Sequence, residues 1–363
     1  MTDTTLPISP YRVTLRRRDF HDMLRLSRTL YRLSQHPLYR ETVYPLVPPA
    51  ARFAPGHDAV MMGYDFHVGE HGPRLIEVNT NAGGSSLALQ TEAASTRERF
   101  LSRTLATFRD DFARQTRGTS QLDCLVILDE DPEQQFLLPE MQAFAEHFEA
   151  CGVQTLILDP RELQVEHDGV YHLKRRVDMI YNRHCDFYLE TPQLAGIRDA
   201  YLSGSVCLSP NPHTYGLLAD KRRMLLWQDP QRLQAWGLSE RQAAALRTGL
   251  PDCFLLKERD QESLWKEHKQ WVFKPVDQFG SRGVMVGEKI TRSRFAQLDP
   301  ETTLCQKFSP PGKVETPDGT TFKFDVRLYL YRDRVLGLTA RLYRGQVTNM
   351  RTEGGGFAAV ELI

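Results

Sequence analysis

The chain lacks most of the features that would assign it at a glance. No stretch reaches the roughly 20 apolar residues of a membrane span. Neither charge is in excess: 46 Lys and Arg balance 46 Asp and Glu, which removes any global electrostatic case for nucleic acid or an anionic membrane surface. Local basic runs, such as Arg16-Arg17-Arg18 and Lys221-Arg222-Arg223, read as solvated helix faces. The six cysteines are scattered with no C-x-x-C, against both a disulfide framework and a zinc site. The G-x-x-x-x-G-K-[ST] phosphate loop is missing. So is the G-x-S-x-G elbow, which leaves a hydrolase built on Ser85, Ser86 or a Cys–His pair without support. The segment Met1-Thr2-Asp3-Thr4-Thr5 has neither a charged nor an apolar leader region. The expectation is therefore a cytoplasmic protein whose cysteines are small buried hydrophobes.

What is present begins with Leu75-Ile76-Glu77-Val78-Asn79-Thr80-Asn81-Ala82-Gly83-Gly84. An apolar strand delivers Glu-x-Asn, and a turn of small residues follows. Side chains repeat every second residue on a strand, so Glu77 and Asn79 share a face. Two oxygens on one face suit a hard cation that keeps phosphate and water as its other ligands.

The length, 363 residues, favours two or three lobes over one core. Residues 1–120 read as a helix around 20–33, a Pro-rich loop, a hairpin (59–67 and 74–80, turning at His71-Gly72-Pro73) and a helix from Ser85 to Thr116. Residues 121–215 alternate strand and helix, with apolar runs at 122–128, 153–158 and 179–181, as a small doubly wound lobe does. Residues 216–363 are helical to about 270 and then turn to strands at 271–274, 283–287, 303–308, 324–331 and 335–342. The fold class is α/β, shading into α+β.

Trp271-Val272-Phe273-Lys274-Pro275 is a strand ending in a lysine, and it leads into a turn containing Gly280, Ser281 and Gly283. A lysine and flexible backbone N–H groups there can meet a polyphosphate, although a plain glycine turn between strands has the same appearance. Gln306-Lys307-Phe308 could offer backbone groups and an apolar wall to a base; an edge strand is the plainer reading. Asp325 and Arg327 share a strand face, Arg341 follows on the next strand, and Arg351 precedes Gly354-Gly355-Gly356. Arginines arriving from adjacent strands suit phosphate and carboxylate oxygens.

Taken together, Lys274 with its Gly loop, Asp325-x-Arg327, Asn349 before Gly354-Gly355, and Glu77-x-Asn79 resemble the ATP-grasp superfamily. Glu-x-Asn comes first here rather than last. That order resembles the circularly permuted eukaryotic-type glutathione synthetases over most of 60–363. The resemblance implies an ATP-grasp fold, circularly permuted, with a small substrate lobe. It implies ATP and Mg²⁺ as cofactors, with Asp65, Glu77 and Asn79 as metal ligands. Lys221, Lys274, Gly280, Ser281, Gly283, Gln306, Lys307 and Phe308 would hold the nucleotide. Arg327, Arg341 and Arg351 would be catalytic, and Arg183, Asn182 and Ser85 would face substrate. One departure stands out: the loop acid expected four positions after the lysine is Gln278, with Asp277 beside it.

The implied reaction joins a small-molecule carboxylate to an amine, with no nucleic acid or membrane partner and with dimers common in the family. A nucleotide-binding protein on a degenerate scaffold and a kinase without ligation are the rival readings.

Overall fold

The computed structural model describes residues 8–278, 280, 282–349 and 352–363. Ser281 and Arg351 lie outside them. The expected hairpin is present as Met62–Gly69 paired antiparallel with Gly72–Asn79. It does not stand alone. Met62–Gly69 also pairs with Thr321–Tyr331, which pairs with Arg334–Tyr343, which pairs with Gly356–Ala358. Gly312–Glu315 joins on the Thr321 strand. Early and late parts of the chain thus share one antiparallel sheet, and Val13–Leu15 likewise pairs in parallel with Val360–Leu362.

Period-two alternation divides this central sheet. Tyr64, Phe66, Val326, Leu328, Ala340 and Leu342 form one face and pack on Met23, Leu26, Leu30 and Leu33 of the helix Arg17–Ser34. Each Val, Leu, Phe or Met among them contributes about 1.5–3 kcal/mol on burial. The opposite face carries Asp65, Asp325, Arg327 and Arg341. Strict alternation would put Leu75 and Glu77 on the same face. A bulge prevents it: Asp65 pairs with Glu77 but Phe66 with Leu75, so Ile76 is the extra residue. Leu75 thereby reaches the core while Glu77 joins the charged face.

A second antiparallel sheet runs in the order Cys253–Leu255, Thr303–Lys307, Trp271–Pro275, Met285–Val286. Trp271, Phe273 and Cys305 pack outward on Leu264 and Phe295. Val272, Lys274 and Gln306 alternate toward the central sheet. A parallel sheet runs in the order Cys207–Ser209, Met179–Asn182, Cys124–Leu128, Gln154–Leu158. Its faces are covered by Phe108, Phe144 and Phe148 on one side and Ile197 and Tyr201 on the other, which is why its strands are apolar on both sides.

Two sequence expectations differ from the structure, and one small sheet was not anticipated. The helix expected over 85–116 is Ser85–Ala88, a short Leu89–Thr91 turn and Ala94–Gln115, with Glu92 and Ala93 extended between them. The first piece docks on Phe357 and the last on the parallel sheet, so tertiary packing breaks a locally helical sequence. Cys253–Leu255, expected in a helical stretch, is an edge strand. Gln164–Glu166, Gly169–His172 and Arg175–Val177 form a small antiparallel sheet that polar, very short strands did not announce. Among the described residues no helix is long and apolar enough to cross a membrane.

Candidate active site

The charged face of the central sheet and the inner face of the second sheet enclose a cleft of about 970 Å³, open mouth included. Among the described residues, Lys221, Lys274, Arg282, Lys307, Arg327 and Arg341 line it, against Asp65, Glu77 and Asp325. Lys307 turns its ammonium to Gln270 and Trp271, so five cations face three carboxylates, an excess of two positive charges suited to a polyphosphate.

The cations are held by specific partners. Arg327 donates to both Asp65 oxygens, at 2.6 and 2.7 Å, and Arg341 donates to Asp65 Oδ2 at 2.8 Å. Arg341 also donates to Asp325 Oδ1 at 2.7 Å, and the Thr348 hydroxyl donates to Asp325 Oδ2 at 2.6 Å. Antiparallel register explains this network, because Asp65 is directly opposite both Glu77 and Arg327, and Asp325 is opposite Arg341. Burial alone would raise the Asp65 carboxyl, but the two guanidinium groups outweigh it and hold it well below the usual carboxylate range.

Lys274 is buried and donates to Gln306 Oε1 at 2.6 Å and to the Ile76 carbonyl at 3.2 Å. The bulge at Ile76 frees that carbonyl from the ladder. Burial lowers the Lys274 pKa, with partial relief from Glu77. Lys221 approaches Glu77 Oε1 at 3.2 Å and donates to the Gln278 carbonyl at 2.6 Å, tying the Gly-rich turn to the central sheet. Gln306 is therefore a support for Lys274. Lys307 donates to Gln270 and lies over the Trp271 ring. Phe308 and Gly280 line the cleft, while Gly283 has φ +68 and a Cβ there would meet Pro275 Cγ at 2.8 Å.

The residues expected to bind metal divide into two kinds. Both Asp65 oxygens accept from arginine, and Oδ2 also accepts from Asn79 at 3.1 Å. Asp65 thus anchors guanidinium groups. Asn79, by donating its amide, keeps Oδ1 without a protein donor among the described residues, and Glu77 has one oxygen paired with Lys221. Glu77 and Asn79 fit a Mg²⁺ ion that takes its remaining ligands from phosphate and water. No group of three or more His, Cys, Asp and Glu side chains among the described residues is placed to hold a metal by itself.

The three residues expected to face substrate lie elsewhere. Arg183 and Asn182 are at the C-terminal end of Met179–Asn182, where ligands of parallel sheets bind. Arg183 is 5% exposed and donates to the Ala82 carbonyl and the Tyr181 hydroxyl. Asn182 accepts from the His184 N–H. Ser85 is buried and donates to Glu140. The Glu140 carboxylate also accepts from Gly84 N, Ser86 N and the Ser86 hydroxyl. Arg327 and Tyr329 donate to the Gly83 carbonyl from the other side. The turn after Asn79 is therefore the joint between the cleft and the parallel-sheet lobe. Gly84 there has φ +92, and a Cβ would meet Phe357 Cε1 at 1.8 Å.

Sequence reasoning missed His67, Glu140 and Asp129. His67 was findable, because it is two residues from Asp65 on the same strand face. Asp129, at the end of Cys124–Leu128, is raised by burial to about 6, with partial relief from Arg183. Glu140 carried no local signal.

No protein-family model and no curated protein matches the sequence. Solved structures do match the fold. A glutathione synthetase-like effector from Globodera pallida is 11% identical with a TM-score of 0.62, covering 98% of this chain and 90% of that one. A protein provisionally named gamma-glutamylcysteine synthetase, from Methylobacillus flagellatus KT, is 11% identical with a TM-score of 0.53, covering 92% of this chain and 84% of that one. At this identity the likeness is one of architecture: the chain has the fold of these two proteins.

Proposed function

We propose that this protein is an ATP- and Mg²⁺-dependent carboxylate–amine ligase on a circularly permuted ATP-grasp scaffold. The observation that carries the proposal is the cleft itself, where Lys274, Arg327 and Arg341 from two facing sheets and Lys221 from the turn before Arg223–Leu226 converge around Glu77 and Asn79. The carboxylate oxygen attacks the γ-phosphorus of ATP and ADP leaves; the amine then attacks the acyl carbon of the acylphosphate, loses a proton and displaces phosphate. No covalent nucleophile is required of the protein. Lys274 and Lys221 neutralise phosphate oxygens, and Arg327 and Arg341 face the transferring group, pre-oriented by Asp65. Glu77 and Asn79 would hold Mg²⁺, which when bound offsets phosphate charge. The substrates are small molecules. Arg183 is the proposed contact for the substrate carboxylate, with the turn at Gly83 linking it to Arg327.

A second reading, nucleotide binding without ligation, is favoured by one departure: the position four after Lys274 is Gln278 rather than an acid. One experiment separates them. ADP and phosphate release from Mg-ATP is measured with a panel of amino acids, dipeptides and polyamines, on wild type and Glu77→Gln. Release stimulated by a carboxylate–amine pair and lost in the variant supports the ligase. Binding of ATP with no stimulated release by any pair supports the second reading, and absence of ATP binding overturns both.

A further inference from the structure

His67 projects from the same strand face as Asp65 and lines the cleft. Its Nδ1 is 2.6 Å from the Ser309 carbonyl oxygen. A carbonyl only accepts, so Nδ1 carries the hydrogen, and in the neutral ring Nε2 is an acceptor. Among the described residues Nε2 has no protein hydrogen-bond partner, and it is not one of the buried orphan atoms, so it is open to the cleft. Ser309 belongs to the linker that follows Thr303–Lys307, beside Phe308. Phe308 lines the cleft next to it, as do Val272, Val286 and Tyr343, and the charged groups Asp325, Lys274 and Arg341 act on the His67 ring. The phosphate-binding cations Lys221 and Lys274 gather around Glu77. The cleft therefore offers both cations and apolar walls, and His67 presents a fixed acceptor beside the linker that carries Phe308 and Ser309.

We propose that His67 Nε2 is a specificity determinant that accepts a hydrogen bond from the nucleoside of the bound triphosphate, from a ribose hydroxyl or from the amino group of the base. This rests on the nucleotide reading above and adds to it a residue that reads the nucleoside rather than the phosphates. The Ser309 carbonyl holds the ring in the accepting tautomer, so the acceptor is present before the ligand arrives.

The test uses two variants of the full chain. His67→Asn can still donate to Ser309 but has nothing at the Nε2 position; His67→Gln can place an amide oxygen there. Calorimetric binding of Mg-ATP, 2′-deoxy-ATP, 3′-deoxy-ATP and a purine analogue without the amino group is measured on wild type and both variants. The expected result is that wild type prefers ATP over one analogue by about three- to tenfold, the worth of one hydrogen bond. His67→Asn should lose that preference and His67→Gln should recover part of it. The analogue concerned tells ribose from base. Equal ATP affinity in wild type and His67→Asn, or an equal loss for ATP and every analogue, overturns the inference alone. Absence of ATP binding by wild type overturns the nucleotide reading and this inference with it.

Discussion

Arg327 grips Asp65 at both carboxylate oxygens, 2.6 and 2.7 Å away, across 262 positions of sequence. Arg341 adds a third contact to the same carboxylate. Two buried guanidinium groups side by side repel, and Asp65 is the charge that lets them share the sheet face. Asp65→Asn should therefore cost about 3–5 kcal/mol of stability, the range for breaking a buried pair at one partner. Urea denaturation measures it. A variant as stable as wild type, with altered Mg²⁺ dependence, would instead return Asp65 to the metal site.

Glu140 accepts from four donors on Gly84, Ser85 and Ser86. Glu140→Gln turns one acceptor into a donor facing an N–H or hydroxyl donor, which leaves groups unsatisfied at about 1–3 kcal/mol. Ser85→Ala removes only one of the four bonds and should lower stability by about 1 kcal/mol. If Ser85→Ala alters substrate KM while leaving the melting temperature unchanged, the hydroxyl faces substrate and its bond to Glu140 is incidental.

Gly84→Ala meets two obstacles at once. The backbone is in the left-handed region at φ +92, and the new methyl would lie 1.8 Å from Phe357 Cε1, an atom of a rigid ring packed on Leu87 and Ala88. The expected loss exceeds the roughly 1 kcal/mol of an ordinary positive-φ substitution and should approach about 3 kcal/mol. Circular dichroism melts of the variant should show it; an unchanged melt would mean that the turn can move away from Phe357.

Burial pushes the Asp129 carboxyl up to about 6 from its ordinary 3.8. A raised acid favours folding in its protonated form. That contribution is fully present below about pH 4 and is lost as pH rises through 6. Asp129→Asn, which keeps the neutral shape, should gain on wild type by up to about 3 kcal/mol between pH 4 and pH 8. Parallel stability–pH curves for the two proteins would contradict the burial argument.

Much of this was legible in the residue order. Glu77-x-Asn79 on one strand face, Lys274 at a strand end before glycines, and Asp325-x-Arg327 with Arg341 on the next strand all follow from a period of two. The same period places Tyr64, Phe66, Val326 and Leu328 in the core. The local sequence determined strand faces and turns because side-chain alternation is a property of a single strand.

What only the tertiary structure decided is which faces meet. No local pattern says that Asp65 opposes Arg327, since strand pairing joins segments hundreds of residues apart. Nor does one say that a bulge at Ile76 sends Leu75 inward and Glu77 outward, that Gln306 props Lys274, or that Glu140 fills the donor turn at Gly84–Ser86. Those outcomes depend on register and on competition among buried charges for a limited set of partners, and only the folded chain resolves that competition.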